Sequence, residues 1–142
     1  FRWLRVSGNL MRSRNRIKGG ADLLLSPEKV RNTSVTVRPV KGLDLSWNTK
    51  YVGKQYWDNT GSEERMIPAY RVSNVSAIYE FEIRRMPGKM TVGVYVNNLF
   101  NKDYYASAWV YRAQMENGMT YQEEGLFPQA LRNYMFKLGY SF

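Results

Sequence analysis

The sequence contains neither cysteine nor histidine. Without thiols it can form no disulfide and no thiolate metal site. Without imidazole it can build no Ser-His or Cys-His nucleophile–base pair and no histidine-ligated metal. Acidic residues are few, 12 against 21 Lys and Arg, for a net charge of +9. The adjacent acids Glu63-Glu64 and Glu123-Glu124 fall in expected loops and read as solvated charges, not as catalytic or metal-binding pairs. No Gly-rich phosphate loop is present. Charges interrupt every long apolar stretch and mean hydropathy is −0.52, so no transmembrane helix is available. Nothing in the residues points to an enzyme or calls for a cofactor.

What the chain has is aromatic side chains, 15% of its 142 residues, and strict alternation. The last thirteen residues, Ala130 to Phe142, place Tyr134, Phe136, Leu138, Tyr140 and Phe142 on one face of a strand. Asn133, Lys137, Gly139 and Ser141 take the other, with Met135 the one apolar member. A period of two over this length predicts a strand between an apolar and a polar medium, about long enough to cross a bilayer at a tilt.

Five earlier stretches repeat the pattern. Residues 1 to about 11 set Leu4, Val6, Gly8 and Leu10 against Arg5, Ser7 and Asn9, and Phe1-Arg2-Trp3 reads as strand interior, not as a signal peptide. Lys29 to Arg38 set Thr33, Val35 and Val37 against Asn32, Ser34 and Thr36. Leu43 to Val52 set Leu45, Trp47 and Tyr51 against Asp44, Ser46, Asn48 and Lys50. Tyr70 to Ile83 set Val75, Ala77, Tyr79 and Phe81 against Asn74, Ser76, Glu80 and Glu82, and an ion-pair network of these acids with Arg84 is expected on the polar wall. Lys89 to Val96 set Val92, Val94 and Val96 against Thr91, Gly93 and Tyr95. The outward residues are thus even-numbered on the first, fifth and sixth strands and odd-numbered on the others.

The connections segregate by length. Pro39-Val40-Lys41-Gly42 and Arg85-Met86-Pro87-Gly88 are tight turns by composition. The alternate connections, 12–28, 53–68 and 97–129, are long, and Leu23-Leu24-Leu25 within the first of them suits a short strand or a helical turn equally. In an antiparallel meander this puts every long connection at one end. Outer-membrane barrels have short turns on the periplasmic side and long loops outside. Six strands cannot close such a barrel, for which about eight is the practical minimum. Open edges at membrane depth would leave backbone groups unsatisfied. The chain therefore reads as part of something larger.

The stretch Val96-Asn97-Asn98-Leu99-Phe100-Asn101-Lys102-Asp103-Tyr104-Tyr105, followed by a long loop and a terminal aromatic strand, resembles the carboxyl-terminal signature of TonB-dependent outer-membrane receptors. "LDLSWNTKYVGKQY" at 43–56 and "IPAYRVSNVSAIYEF" at 67–81 are similar to the same family, and "LFPQA" at 126–130 looks like its Bacteroidetes members. The resemblance implies an all-β fold. Residues 1–142 would be an antiparallel meander of about six transmembrane strands, the C-terminal portion of a 22-stranded barrel enclosing a plug domain. It implies the bacterial outer membrane, and energy-coupled uptake of a scarce nutrient such as a metal chelate, vitamin, glycan or peptide. The implied partners are the rest of the barrel and its plug, TonB acting through an upstream segment, the barrel-assembly machinery and a surface lipoprotein. A segment of a porin or another large channel is the alternative. By resemblance to outer-membrane proteins generally, Tyr140 and the terminal Phe142 would carry the assembly signal.

Candidate ligand contacts are the aromatic residues of the long connections: Tyr56 and Trp57 with Asp58, and Tyr104, Tyr105, Trp109, Tyr111 and Tyr121. Packing of the loops accounts for such residues equally well. Arg12, Arg14, Lys29, Arg31, Arg71 and Arg132 lie on the outward parity at the long-loop ends. There they would form a basic belt able to snorkel to headgroups and contact lipopolysaccharide phosphates. Arg12, Arg14, Arg16 and Lys18 could alternatively bind nucleic acid, but no recognition motif accompanies them and no nucleic-acid partner is expected.

Overall fold

A computed structural model describes residues 3–84 and 87–142. Phe1 and Arg2, read as the start of the first strand, and Arg85-Met86, read into the second tight turn, lie outside the described residues. Ten strands occur in chain order: β1 (Leu4–Arg12), β2 (Lys29–Val37), β3 (Leu43–Val52), β4 (Gln55–Tyr56), β5 (Met66–Ile67), β6 (Tyr70–Glu82), β7 (Lys89–Asn97), β8 (Tyr105–Gln114), β9 (Thr120–Pro128) and β10 (Asn133–Ser141). The protein is all-β; among the described residues the one helical element is a 3-10 turn at Glu63–Arg65.

The main sheet is an antiparallel meander in the order β1-β2-β3-β6-β7-β10. Its six strands match the six alternating stretches to within a few residues. The pairs β4-β5 and β8-β9 are small separate sheets inside two of the long connections. Leu24 and Leu25 form a turn, with Leu25 at φ 50°, which resolves the leucine run.

Register joins the alternating faces into one surface. Directly paired residues share a face, and one row runs Val6, Val35, Trp47, Val75, Val96, Tyr134 across all six strands. The next row towards the tight turns is Leu4, Val37, Leu45, Ala77, Val94, Phe136. Beyond it come Leu43, Tyr79, Val92 and Leu138, then Phe81, Met90 and Tyr140. From Phe81 to Val75 this apolar band spans about 20 Å at the rise of an antiparallel strand. Towards the long connections it gives way to Thr33, Thr49 and Ser73, and then to Arg31, Tyr51 and Arg71.

No second layer covers the band among the described residues: Phe136 is 77% and Leu138 75% exposed. The opposite face is polar, with Asn9 and Asn32 hydrogen-bonded at 3.0 Å, Thr36 and Ser46 at 2.9 Å, and Asn97 and Asn133 at 2.9 Å. Glu80 there is met by Lys89 of the neighbouring strand at 2.9 Å, not by Arg84 as expected; the register sets the lysine opposite Glu82 and diagonal to Glu80 on the same face. Among the described residues the buried apolar side chains are Val52, Ile67, Tyr70, Val72 and Ala108. Val52, Tyr70 and Val72 cluster at the long-connection end of the sheet, with Val30 and Tyr104 packed against them.

Both tight turns depend on a glycine with positive φ. Gly42 (φ +83°) and Gly88 (φ +105°) each press against a carbonyl oxygen of an adjoining strand, of Glu80 and Ser141 respectively, where a Cβ would collide. Close approach and backbone sign together restrict these positions to glycine.

Candidate loop-cluster site

The three long connections meet in one cluster. The first, 13–28, extends the β1–β2 hairpin: Ser13 donates to the Glu28 carbonyl at 2.9 Å and Leu23 to the Asn15 carbonyl at 2.9 Å. It is tied to the second by Leu25 donating to the Tyr56 carbonyl (2.7 Å) and Leu24 to Asn59 Oδ1 (3.1 Å).

The second connection is tied to the third through Asp58, a buried carboxylate. Its Oδ1 accepts from the Thr60 amide and hydroxyl at 3.0 and 2.6 Å. Its Oδ2 receives Arg65 Nη1 at 2.6 Å and Arg112 Nη2 at 3.1 Å. Gln122 Oε1 accepts from both arginines as well, at 3.1 and 3.0 Å. Gln55, also buried, donates to the Ala106 carbonyl at 3.1 Å. Burial makes this network costly to leave half-made, because each unpaired charge or donor would lose its water without recompense.

The 97–129 segment, read from sequence as one long connection, contains the β8–β9 hairpin. Its turn is built on Asn117-Gly118, with Gly118 at φ +80° donating to the Met115 carbonyl at 2.9 Å. An Asn-Gly pair between alternating stretches is a strong hairpin signal, and it marks this one. One face of the hairpin carries Ala108, Arg112 and Gln122 towards the second connection. The other carries Trp109, Tyr111, Tyr121 and Phe127, in register with Ser107, Glu123 and Gly125. Trp109 lies across Gly125, where a Cβ would strike its indole. Tyr111 and Tyr121 meet edge-on at 6.4 Å, and the Tyr121 hydroxyl donates to Glu123, which raises the tyrosine pKa.

The aromatic candidates therefore separate into two groups. Trp109, Tyr111 and Tyr121 share one exposed face of the hairpin. Tyr56 donates to Glu63 at 3.0 Å beneath Lys54, and Asp58 is occupied by arginines. Hydrogen bonds from Lys54 and then Tyr56 hold the Glu63 carboxyl below its ordinary range. Tyr104 packs on Tyr70 at 4.6 Å, and Tyr105 pairs with Pro128. Trp57 is half-buried, with its indole N–H enclosed and unpaired.

The Asn97–Lys102 stretch is a backbone knot. Asn98, 3% exposed and at φ 51°, accepts from the Lys102 amide at 2.8 Å and donates to the Lys102 and Ala130 carbonyls at 2.8 and 3.2 Å. Its own amide donates to Asn74 Oδ1 at 2.9 Å. Asn101, at φ 53°, accepts from the Arg132 amide at 2.9 Å. The stretch thus locks the end of β7 to the entry of β10 and to β6. Asparagine suits it because it tolerates the left-handed region and carries both a donor and an acceptor.

The basic residues are also sorted. Arg12 and Lys29 are direct cross-strand partners, and Arg31 and Arg71 flank Tyr51. Arg12 is bound to Glu28 at 3.2 Å, although no acid shares its parity. Arg14 and Arg132 lie just outside the strands. No protein-family model matches the chain, and no curated protein matches it.

Proposed function

We propose that this sheet is the carboxyl-terminal part of a 22-stranded-type barrel of a TonB-dependent receptor in a bacterial outer membrane. It would serve energy-coupled uptake of a scarce nutrient through the larger protein. One observation carries the reading: a single uncovered apolar band crosses all six strands, with tight turns at one end and a loop cluster at the other. Strands of 9 to 13 residues suit a tilted bilayer crossing. The band approaches the apolar height of about 25 Å of known barrels.

In this reading the polar face lines the lumen and the linked connections form the extracellular surface. Trp109, Tyr111 and Tyr121 are its most available ligand contacts, while Tyr140 and Phe142 serve assembly at the periplasmic side. The unpaired edges of β1 and β10 join neighbouring strands of the larger barrel, which removes the unsatisfied backbone that lipid would not tolerate.

The test is transport by cells carrying or lacking the full-length gene, on defined iron and carbon sources, with and without dissipation of the proton-motive force. A growth defect reproduced by dissipating that force supports the receptor. Uptake that survives dissipation supports a porin or other uncoupled channel. Absence of the protein from the outer-membrane fraction overturns both.

A further inference from the structure

Resting on the membrane reading above, we infer that the outward face holds a specific site for one phosphorylated lipid between Arg31 and Arg71. The cross-strand register sets Arg31, Tyr51 and Arg71 side by side on β2, β3 and β6. The two arginines are thus about 10 Å apart at their backbones, two strand spacings, with a tyrosine between them. That separation lets two guanidinium groups converge on one phosphate from opposite sides, each able to offer a two-pronged donor pair. Lys29 adds a third cation one row further out.

Within the belt Arg12 is neutralised by Glu28, whereas Lys29, Arg31 and Arg71, like Arg14 and Arg132, have no ion pair among the described residues. What sets these three apart is a shared hollow. They line an open groove of about 570 Å³ that contains no acidic side chain. Three unopposed cations at the margin of an apolar surface call for an anion, and the groove shows that the anion is attached to a tail. Its floor descends through Thr33 and Thr49 to Val35 and Trp47. Those last two residues are also walls of a second hollow, which continues to Val37, Leu45, Ala77 and Val94. In the intervening row the hydroxyls of Thr49 and Ser73 bond each other at 2.9 Å, and Trp47 Nε1 donates to Thr49 Oγ1 at 2.9 Å. Charge, hydroxyl and hydrocarbon levels thus follow one another as phosphate, linkage and acyl chain do in an amphiphile. The occupant is a lipid of the leaflet at the loop end.

Native mass spectrometry of the full-length protein, purified in mild detergent and supplied with bisphosphorylated lipid A, tests this. The wild type should retain one lipid, and Arg31→Gln with Arg71→Gln should lower that occupancy at least fivefold. Arg31→Lys with Arg71→Lys should recover part of it, and Arg12→Gln should leave it unchanged. Lipid A stripped of phosphate should not compete, and inorganic phosphate alone should not displace the lipid. Should the glutamine pair fail to assemble, the lysine pair and quenching of Trp47 by brominated acyl chains, against a Trp47→Phe control, decide the matter. Unchanged occupancy in the glutamine pair, or no quenching at Trp47, overturns the site. Displacement by inorganic phosphate leaves an anion site and overturns the lipid. A protein that never reaches the outer membrane overturns the membrane reading instead.

Discussion

Asp58 and Arg112, 54 positions apart in sequence, meet at 3.1 Å and join two connections that leave the sheet separately. The carboxylate is buried, and the guanidinium is 40% exposed. The acid is therefore the partner whose loss matters more, since two arginines and Gln122 are organised around it. Asp58→Asn should loosen the loop cluster by about 1.5–3 kcal/mol, the range for hydrogen bonds to a charged group. Hydrogen exchange should rise in the β8–β9 amides, and protease should cut within 97–129. Arg112→Gln should do less, because Arg65 remains. Equal exchange in Asp58→Asn and the wild type would show that the hairpin is held by other contacts.

The paired rows of the main sheet make a face-specific prediction. Val94 and Tyr79 point to the apolar band and Ser76 to the polar face. Arginine at Val94 or Tyr79 should cost roughly 2–4 kcal/mol near mid-membrane and reduce outer-membrane levels of the full-length protein. Arginine at Ser76 should be mild. Indistinguishable levels for the three variants would refute the assignment of faces.

Asn98 combines a left-handed backbone with three side-chain hydrogen bonds. Asn98→Ala should destabilise by about 2–4 kcal/mol, from buried groups left unpaired and from alanine's dislike of positive φ. Asn98→Gly loses the same hydrogen bonds but not the backbone preference, so it should be milder by about 1 kcal/mol. Denaturant unfolding of the detergent-solubilised protein measures both. Alanine and glycine giving the same loss would remove the backbone part of the explanation.

The Lys54–Glu63–Tyr56 cluster predicts an acid dependence. Hydrogen bonds from Lys54 and Tyr56 lower the Glu63 pKa in the folded state, so the unfolded chain takes up its proton first as pH falls. The stabilisation is full above the ordinary glutamate pKa of about 4.3 and disappears as pH drops through the lower folded value. Local order around Tyr56, followed by hydrogen exchange, should hold at neutral pH and decline in that acid window. Glu63→Gln should flatten the decline. A transition near neutral pH, or one that persists in the glutamine variant, would assign the effect to another group.

The sequence by itself determined the six main strands, their faces and the segregation of tight and long connections. A period of two is a local property, and a one-residue slip would turn Trp47 and Phe136 to the polar side. The β8–β9 hairpin was missed, because its alternation is interrupted by Arg112 and the paired acids of β9, although Asn117-Gly118 carried a turn signal. Only the tertiary structure decided that Asp58 belongs to Arg65 and Arg112, that Tyr104 packs on Tyr70, and that Asn98 closes a knot. It also decided which cations are spent, pairing Arg12 with Glu28 and leaving Arg31 and Arg71 open on either side of Tyr51. Those outcomes depend on which distant side chains the strand register and loop packing bring within hydrogen-bonding reach, and no local period encodes that.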